Sequence, residues 1–213
     1  LEIDESDKVL SHELFQGGDK EAYNMSTDIF VVDTPFLIAK LEEEAAKEEP
    51  RKLRYVLRDL AVAENAFAYE YTGYLSNIHS VKAYFDANLD MLESHKFYKL
   101  FAPNQKVYTK VKNEEPTYYS DSSEVKLSQF ASGSIVRGKV ENSVISRNVD
   151  LSEGSSVSHS ILFPRVKVAK GATVEYAIVD KGVEIAEGVT IRGTENNPVV
   201  IKKGSVVTED IVR

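Results

Sequence analysis

Residues 140–190 divide into three rows of 17 residues, and this repeat decides the fold. The rows read VENSVISRNVDLSEGSS from Val140, VSHSILFPRVKVAKGAT from Val157 and VEYAIVDKGVEIAEGVT from Val174. Six columns are chemically uniform: column one (Val140, Val157, Val174), column four (Ser143, Ser160, Ala177), column six (Ile145, Leu162, Val179), column ten (Val149, Val166, Val183), column twelve (Leu151, Val168, Ile185) and column fifteen (Gly154, Gly171, Gly188). A fixed period indicates a repeat architecture in which each unit packs on its neighbours.

The aliphatic residues of columns one, six and twelve are spaced by 5, 6 and 6 residues. One inward aliphatic side chain about every six residues is typical of a hexapeptide parallel β-helix, with three short strands and three corners in each coil. The recurrent glycine suits a corner that needs positive φ. Residues 125–213 also hold 17 of the 25 valines and only 3 of the 20 Phe and Tyr residues, as expected for a narrow aliphatic interior.

Two other interpretations of this half stay open. A β-sandwich with 17-residue hairpins is the alternative fold, although sandwich strands do not keep three matched rows in register. A hexapeptide acyltransferase is the alternative function. That activity calls for a histidine base and a projecting loop, whereas His159 is the single histidine after residue 125 and the three rows contain no inserted loop.

Composition excludes several classes of function. The 213 residues carry 26 Lys and Arg against 34 Asp and Glu, a net charge of −8, and contain no cysteine. We therefore expect no disulfide framework, no thiolate chemistry and no nucleic-acid partner, since phosphate binding relies on clustered cations. No apolar run approaches the roughly 20 residues of a membrane helix, so we predict a cytoplasmic protein without a membrane partner.

The first half is predicted to alternate strands and helices. A hairpin over residues 1–10 turns at Glu5–Asp7, an apolar strand covers residues 28–33, and helices run from Thr34 to about Glu49 and after Pro50. A second strand follows over residues 66–71, and Ser80 begins a helix that carries an apolar stripe. We predict the closing part of an α/β domain at 1–102, a connector at 103–124 and the β-helix at 125–213.

Three segments resemble the sugar-nucleotide pyrophosphorylases, most of all bacterial glucose-1-phosphate adenylyltransferase. Residues 26–32 (STDIFVV) resemble the family's S-x-G-I-Y-V-F strand, and residues 73–92 (GYLSNIHSVKAYFDANLDML) resemble its Y-W-R-D-V-G-T-x-x-A-Y-x-x-A-N-x-D-L. Residues 134–190 resemble its C-terminal β-helix. The resemblance spans essentially the whole chain and implies an α/β remnant of a nucleotidyltransferase (Rossmann-like) domain followed by an all-β left-handed parallel β-helix of hexapeptide repeats.

The departures from the family pattern concern the charged groups. The family's W-R-D-V-G-T is replaced by Leu75-Ser76-Asn77-Ile78-His79-Ser80, so Asn77 stands where an aspartate holds the catalytic magnesium and Ser76 replaces an arginine. A neutral amide is a poor ligand for a hard divalent cation. Residues 14–16 (LFQ) stand where the family has the phosphate-gripping E-K-P. The family's nucleotide loop, G-G-x-G-x-R-L-x-P-L-T, occurs nowhere in the sequence; residues 17–20 (GGDK) contain the only glycine pair, and they lack the arginine.

These departures resemble the GlgD-type subunit, a paralogue that pairs with the catalytic subunit and modulates it. The resemblance implies a catalytically degenerate subunit in glycogen biosynthesis, with no catalytic residue, no metal ligand and no cofactor of its own, although the complete family enzyme uses magnesium. It assigns Ser26 and Asn77 to a sugar-phosphate half-site. The expected partner is a catalytic paralogue or a second copy, joined through the β-helix. A small anionic effector is also possible at Arg137, Arg147, Arg165 and Lys167. An active nucleotidyltransferase with an altered site stays open as an alternative.

Overall fold

The computed structural model describes residues 1–13, 24–101 and 106–213 and divides into two compact units, Leu1–Thr72 and Gly73–Arg213. In the described part of the chain, no helix is long and apolar enough to cross a membrane. Residues 73–101 belong to the same unit as the β-helix. The predicted domain limits at residues 102 and 124 stay a prediction.

The first unit contains a short hairpin and two helices. Strands β1 (Glu2–Ile3) and β2 (Val9–Ser11) pair antiparallel, which agrees with the predicted hairpin. Helix α1 (Thr34–Ala45) begins at the predicted residue and ends before the predicted Glu49; it is capped by Asp33, whose carboxylate accepts the Phe36 amide at 3.0 Å. Helix α2 (Leu53–Ala63) follows Lys52.

The two strands predicted for the first half are wrong. Residues 28–33 and 66–71 form no strand, and the second segment contributes only an isolated bridge between Lys8 and Phe67. Ile29 and Val31 are 80% and 102% exposed, so no sheet formed by the described residues of their unit covers them. An apolar run becomes a strand only where another strand satisfies its backbone groups. The described residues of this unit therefore do not show the parallel sheet of a Rossmann-like domain.

The second unit begins with helices that pack on the β-helix. Helix α3 (Val81–Leu89) starts where predicted, because the Ser80 hydroxyl accepts the Ala83 amide at 3.1 Å. A 3-10 turn (Asp90–Leu92) and helix α4 (Ser94–Leu100) follow. Phe85 is 1% exposed and packs against Ile161 and Ile178, which point outward from the β-helix.

Three parallel sheets form the predicted β-helix, with the strands numbered in chain order. The first sheet contains β4 (Glu124–Lys126), β7 (Lys139–Glu141), β10 (Ser156–Ser158), β13 (Thr173–Glu175), β16 (Thr190–Arg192) and β19 (Ile211–Val212). The second sheet contains β5 (Gln129–Phe130), β8 (Val144–Ile145), β11 (Ile161–Leu162), β14 (Ala177–Val179) and β17 (Val199–Ile201). The third sheet contains β3 (Tyr118–Tyr119), β6 (Ile135–Val136), β9 (Asp150–Leu151), β12 (Lys167–Val168), β15 (Glu184–Ile185) and β18 (Val206–Val207).

The register confirms the columns read from the sequence. Val140, Val157, Val174 and Ile191 are direct ladder partners, and columns six and twelve align in the same way in the other two sheets. The aliphatic residues of columns one, six, ten and twelve are buried in one continuous core. The column of glycines lies at corners with φ between 70° and 73°. The β-sandwich alternative is therefore wrong for residues 118–212, while the handedness of the β-helix stays a prediction.

The coil after the three rows contains an inserted loop. Val174 and Ala177 are three residues apart, whereas their ladder partners Ile191 and Val199 are eight apart, so this coil holds five extra residues. They are Thr194–Pro198, held by a bridge between Thr194 and Asn197. Residues 140–190 thus contain no insertion, whereas the next coil does.

Candidate functional site

The loop before α3, residues 74–80, is anchored by a hydrogen-bond network that sequence reasoning missed. The Tyr74 hydroxyl donates to Asp90 Oδ2 at 3.0 Å, and Lys96 Nζ donates to Asp90 Oδ1 at 2.6 Å and to Glu93 at 2.7 Å. Burial and the neighbouring Asp90 carboxylate raise the pKa of Tyr74. Hydrogen bonds from Lys96 to Asp90 and Glu93 raise the pKa of the Lys96 ammonium. The only signal in the sequence was that Tyr74 and Asp90 lie in the same motif.

Asn77 lies at the tip of this loop with its side chain exposed. Its backbone carbonyl accepts the His79 amide at 3.1 Å and lies 3.0 Å from His79 Nδ1. These contacts form a tight turn, and the amide side chain of Asn77 makes no hydrogen bond to any residue that the structure describes.

A shallow groove of about 400 Å³ lies between this loop and the second sheet. Its lining residues are Ile78, His79, Ser80, Val81, Tyr84, Ile178 and Val200. The lining is mostly apolar and contains no Lys, Arg, Asp or Glu. A groove of this composition suits an apolar group better than a phosphate, which needs cations or converging backbone amides.

Ser26 is exposed in the first unit, and its hydroxyl accepts the Asp28 amide at 3.2 Å. Asp28 has φ 55°, the left-handed region that favours glycine, and it stands where the family motif has glycine. Its carboxylate accepts three hydrogen bonds from Arg58 at 2.7–3.0 Å. The local backbone therefore fits the motif, although no strand forms after it.

The predicted half-site residues are described only within their own units, Ser26 in Leu1–Thr72 and Asn77 in Gly73–Arg213. Their assignment to sugar phosphate stays a prediction. Two segments that were compared with family motifs lie outside the described residues. They are residues 14–16, at the phosphate-binding motif, and residues 17–20, at the nucleotide loop.

The residues around Asn77 do not fit a magnesium ion. Mg²⁺ prefers carboxylate oxygens, and residues 74–80 contain none. In the ranges that the structure describes, no three His, Asp or Glu side chains come together in a way that could hold a metal. No step of a reaction can therefore be assigned to a metal held by these residues.

His159 lies at a corner of the β-helix between Asn142 and Tyr176. Its ring stacks on Tyr176 with centroids 4.7 Å apart and planes at 17°, and Asn142 Nδ2 lies 3.2 Å from its Nε2. Its Nδ1 is buried and, among the described residues, has no hydrogen-bond partner. All three residues have positive φ, 45–48°, at a corner where the three 17-residue rows contain no glycine. The ring is thus held by stacking, and its role in acyl transfer stays a prediction.

The structure separates the four cations predicted for an effector. Arg137 pairs with Asp150 at 2.9 Å, Lys167 with Glu184 at 2.8 Å and Arg147 with Glu114 at 3.6 Å. Arg165 is exposed and makes no ion pair within the described part of the chain. The four cations therefore do not form one anion site.

Comparison with known proteins agrees with this architecture. Residues 117–212 match the family model described as GlmU-like, C-terminal hexapeptide. The glycogen biosynthesis protein GlgD of Bacillus subtilis is 34% identical over 197 residues, which are 92% of this chain and 55% of that protein. GlgD of Geobacillus stearothermophilus is 53% identical over 127 residues, covering 60% of this chain and 37% of that protein.

A glucose-1-phosphate adenylyltransferase is also similar. The Mycoplasma mobile enzyme is 31% identical over 105 residues, covering 49% of this chain and 27% of the enzyme. These matches confirm the predicted resemblance to the adenylyltransferases and to GlgD. The chain spans about half the length, or less, of each of these three relatives.

Proposed function

We infer that this chain, a relative of GlgD and of the glucose-1-phosphate adenylyltransferases, is the C-terminal part of a GlgD-like, catalytically degenerate subunit that acts in glycogen synthesis. The complete complex would join ATP and glucose 1-phosphate into ADP-glucose and pyrophosphate with magnesium. In this proposal, the catalytic paralogue holds the magnesium, and this chain supplies a β-helix and part of a sugar-phosphate site.

The loop of residues 74–80 is the observation that carries the proposal. Its framework is retained, since Tyr74, Asp90 and the Ser80 cap hold the loop and α3 together. The charged pair that the family places on this framework is replaced by Ser76 and Asn77. The loop therefore keeps its structure but lacks the charged side chains that phosphoryl transfer requires, since that reaction depends on positioned cations. This supports a role in assembly or regulation.

The first unit is proposed to be the remnant of a Rossmann-like nucleotidyltransferase domain. The support is the motif of residues 26–32 and the positive φ of Asp28 at its glycine position. Ser26 and Asn77 would each offer one hydrogen bond to a sugar or its phosphate. The protein would be cytoplasmic, joined through its β-helix to a catalytic paralogue or a second copy and open to a small anionic effector.

The test measures pyrophosphate release from ATP, Mg²⁺ and glucose 1-phosphate. We expect none above background from the chain alone, and a changed rate or effector response when it is added to a catalytic glucose-1-phosphate adenylyltransferase from the same organism. Turnover by the chain alone at the ordinary rate of the family would overturn the proposal that this subunit is catalytically degenerate. Failure to bind the paralogue or to alter its rate would overturn the regulatory role.

The Asn77→Asp variant of the full-length protein separates this proposal from an active enzyme with an altered site. If the site is degenerate, restoring a carboxylate should create or tighten Mg²⁺ binding, measurable by titration calorimetry, with Asn77→Gln as the neutral control. An active enzyme with another ligand set would show little change in either variant.

A hexapeptide acyltransferase is the second candidate, favoured by one observation. The inserted loop Thr194–Pro198 leaves the β-helix directly after Gly193, at the corner that His159 and Tyr176 occupy in the preceding coils. This candidate requires that acetyl-coenzyme A raises the melting temperature and that His159→Ala abolishes acyl transfer. Absence of a thermal shift with coenzyme A would remove it.

A further inference from the structure

The outer face of the third sheet of the β-helix carries paired charges at its centre, with Tyr118 and Ile135 at one end. Arg137 pairs with Asp150 and Lys167 with Glu184, each across neighbouring coils. Val206 is 67% exposed at the end of this face. The face contrasts with the outer face of the second sheet, which α3 covers.

One edge of this face carries unpaired positive charge. We call this edge, between the second and third sheets, the cationic corner; its cations are Arg147, Arg165, Lys181, Lys202 and Lys203. Apart from Arg147, none of them makes an ion pair with any residue that the structure describes. The carboxylates at this corner are Asp180, whose Oδ1 accepts the Lys181 amide at 2.6 Å, Glu114, which pairs with Arg147 at 3.6 Å, and the neighbouring Glu115. The four cations without an ion pair repel one another across coils spaced by about 4.8 Å.

The opposite edge of the same face carries negative charge. We call this edge, between the third and first sheets, the acidic corner; its charged residues are Asp121, Arg137, Glu153, Lys170, Glu187, Glu209 and Asp210. The three glutamates are exposed and, in residues 1–13, 24–101 and 106–213, have no ion-pair partner. Asp210 accepts the Thr190 amide at 2.8 Å.

The opposite charges are arranged coil by coil. In three coils a cation precedes a glutamate by six residues: Arg147 and Glu153, Lys181 and Glu187, Lys203 and Glu209. Six extended residues span about 20 Å, the width of the face. In two other coils the two ends carry the same sign: Arg165 is followed by Lys170, and Glu114 and Glu115 are followed by Asp121.

We propose that the outer face of the third sheet is a self-association surface, on which two copies of this chain pack face to face about a two-fold axis parallel to the β-helix axis. This rotation places the cationic corner of each copy against the acidic corner of the other, at the same height and on both sides. Lys181 of each copy then faces Glu187 of its partner. A two-fold axis across the coils would instead place like charges together, so the charge pattern selects the parallel arrangement.

The size of the face sets the strength of this dimer. Its six strands span five coil steps, so it measures about 20 by 24 Å, or roughly 480 Å² per copy before side-chain relief is added. The total is near 1,000 Å², the low end for a specific interface. With paired charges at its centre and complementary charges at its edges, the dimer is weak and sensitive to salt, since charges are screened within about 10 Å at 0.1 M ionic strength.

This inference gives a face and a symmetry to the self-association named in the proposed function and rests on that part of it alone. Sedimentation equilibrium of the chain at about 0.02 M and about 0.5 M salt tests it directly. The mass should rise with concentration from 23.8 kDa toward twice that value at low salt and stay near 23.8 kDa at high salt. A wild-type chain that remains monomeric at low salt overturns the dimer, whatever other partner it binds.

Charge-swap variants identify the face. Lys181→Glu should raise the dimer Kd by about tenfold, because it turns two attractive contacts per dimer into repulsive ones. Adding Glu187→Lys in the same chain should restore the wild-type Kd, since each changed residue again meets an opposite charge. If the double variant stays as weak as the single one, the parallel arrangement is wrong. Circular dichroism checks that each variant folds.

Lys170→Glu is the matched control, because it changes the net charge by the same amount as Lys181→Glu. The changed residue, however, lies on the acidic corner. This variant should tighten the dimer, because a glutamate at position 170 would face the cation Arg165 of the other copy. If it weakens association as much as Lys181→Glu, net charge rather than this face controls association, and the proposal is overturned. A chain that fails these mass tests and still modulates the paralogue would leave the proposed function intact.

Discussion

Replacing Ser160 with alanine should destabilise the β-helix by about 1–3 kcal/mol. Ser160 is fully buried in column four, where its hydroxyl donates to the Ser158 carbonyl at 2.7 Å and accepts the Ala177 amide at 3.1 Å. The substitution removes the acceptor of the Ala177 N–H. Because Ala177 is also fully buried, water does not replace the lost bond.

The magnitude follows from which group loses its partner. An intramolecular hydrogen bond contributes about 1 kcal/mol net, but a buried donor left without an acceptor loses its full desolvation term, about 1–3 kcal/mol. Ser143 makes the same two bonds one coil earlier, to Glu141 and Ser160. The serine column thus joins successive coils through side chains as well as through the backbone ladder.

Urea unfolding followed by circular dichroism measures the loss, and Ser156→Ala is the control. Ser156 lies in the same coil, and its hydroxyl has no hydrogen-bond partner among the residues described, so its removal should cost no more than about 0.5 kcal/mol. Hydrogen exchange of the Ala177 amide should accelerate in the Ser160 variant alone. A loss below about 0.5 kcal/mol for Ser160→Ala would refute the reasoning. It would mean that Ala177 finds another acceptor, as Val199 does in the next coil with the Tyr176 carbonyl at 3.0 Å.

Three further predictions concern other contacts. Hydrogen bonds from Arg51 and Lys47 hold the pKa of Glu44 well below its usual range. The Glu44 carboxylate therefore stabilises the first unit above about pH 4.3, and this stabilisation is lost as the pH falls below that value. In unfolding experiments from pH 7 to pH 3, Glu44→Gln should lose less stability on the acid side than the wild-type chain does. Phe85→Ala should detach α3 from the β-helix, at a cost of up to about 3–5 kcal/mol, and increase hydrogen exchange in α3 while the β-helix core stays protected. Gly193→Ala should lower the melting temperature of the β-helix and cost about 1–3 kcal/mol, because the new Cβ would lie 2.5 Å from the Tyr176 carbonyl oxygen; an unchanged melting temperature would count against this contact.

For the candidate site, the sequence predicted which residue types are present but not which contacts they make. The replacement of Arg and Asp by Ser76 and Asn77 is visible in the sequence and carries the proposed function. The network of Tyr74, Asp90 and Lys96 that supports the loop is not visible, because it joins residues up to 22 positions apart through side-chain geometry. The apolar lining of the neighbouring groove likewise depends on how α3 packs on the second sheet.

The sequence by itself determined the coil length, the inward columns and the glycine corners of the β-helix. This was possible because each coil contacts only its neighbours one period away, so the repeat in the chain is also the repeat in space. The tertiary structure alone decided what one period does not specify. Examples are the failure of residues 28–33 and 66–71 to form strands, the positive φ of His159 and Tyr176, and the network of Tyr74, Asp90 and Lys96. Strand pairing, left-handed corners and side-chain networks depend on groups that are far apart in the chain, and no local pattern encodes their meeting.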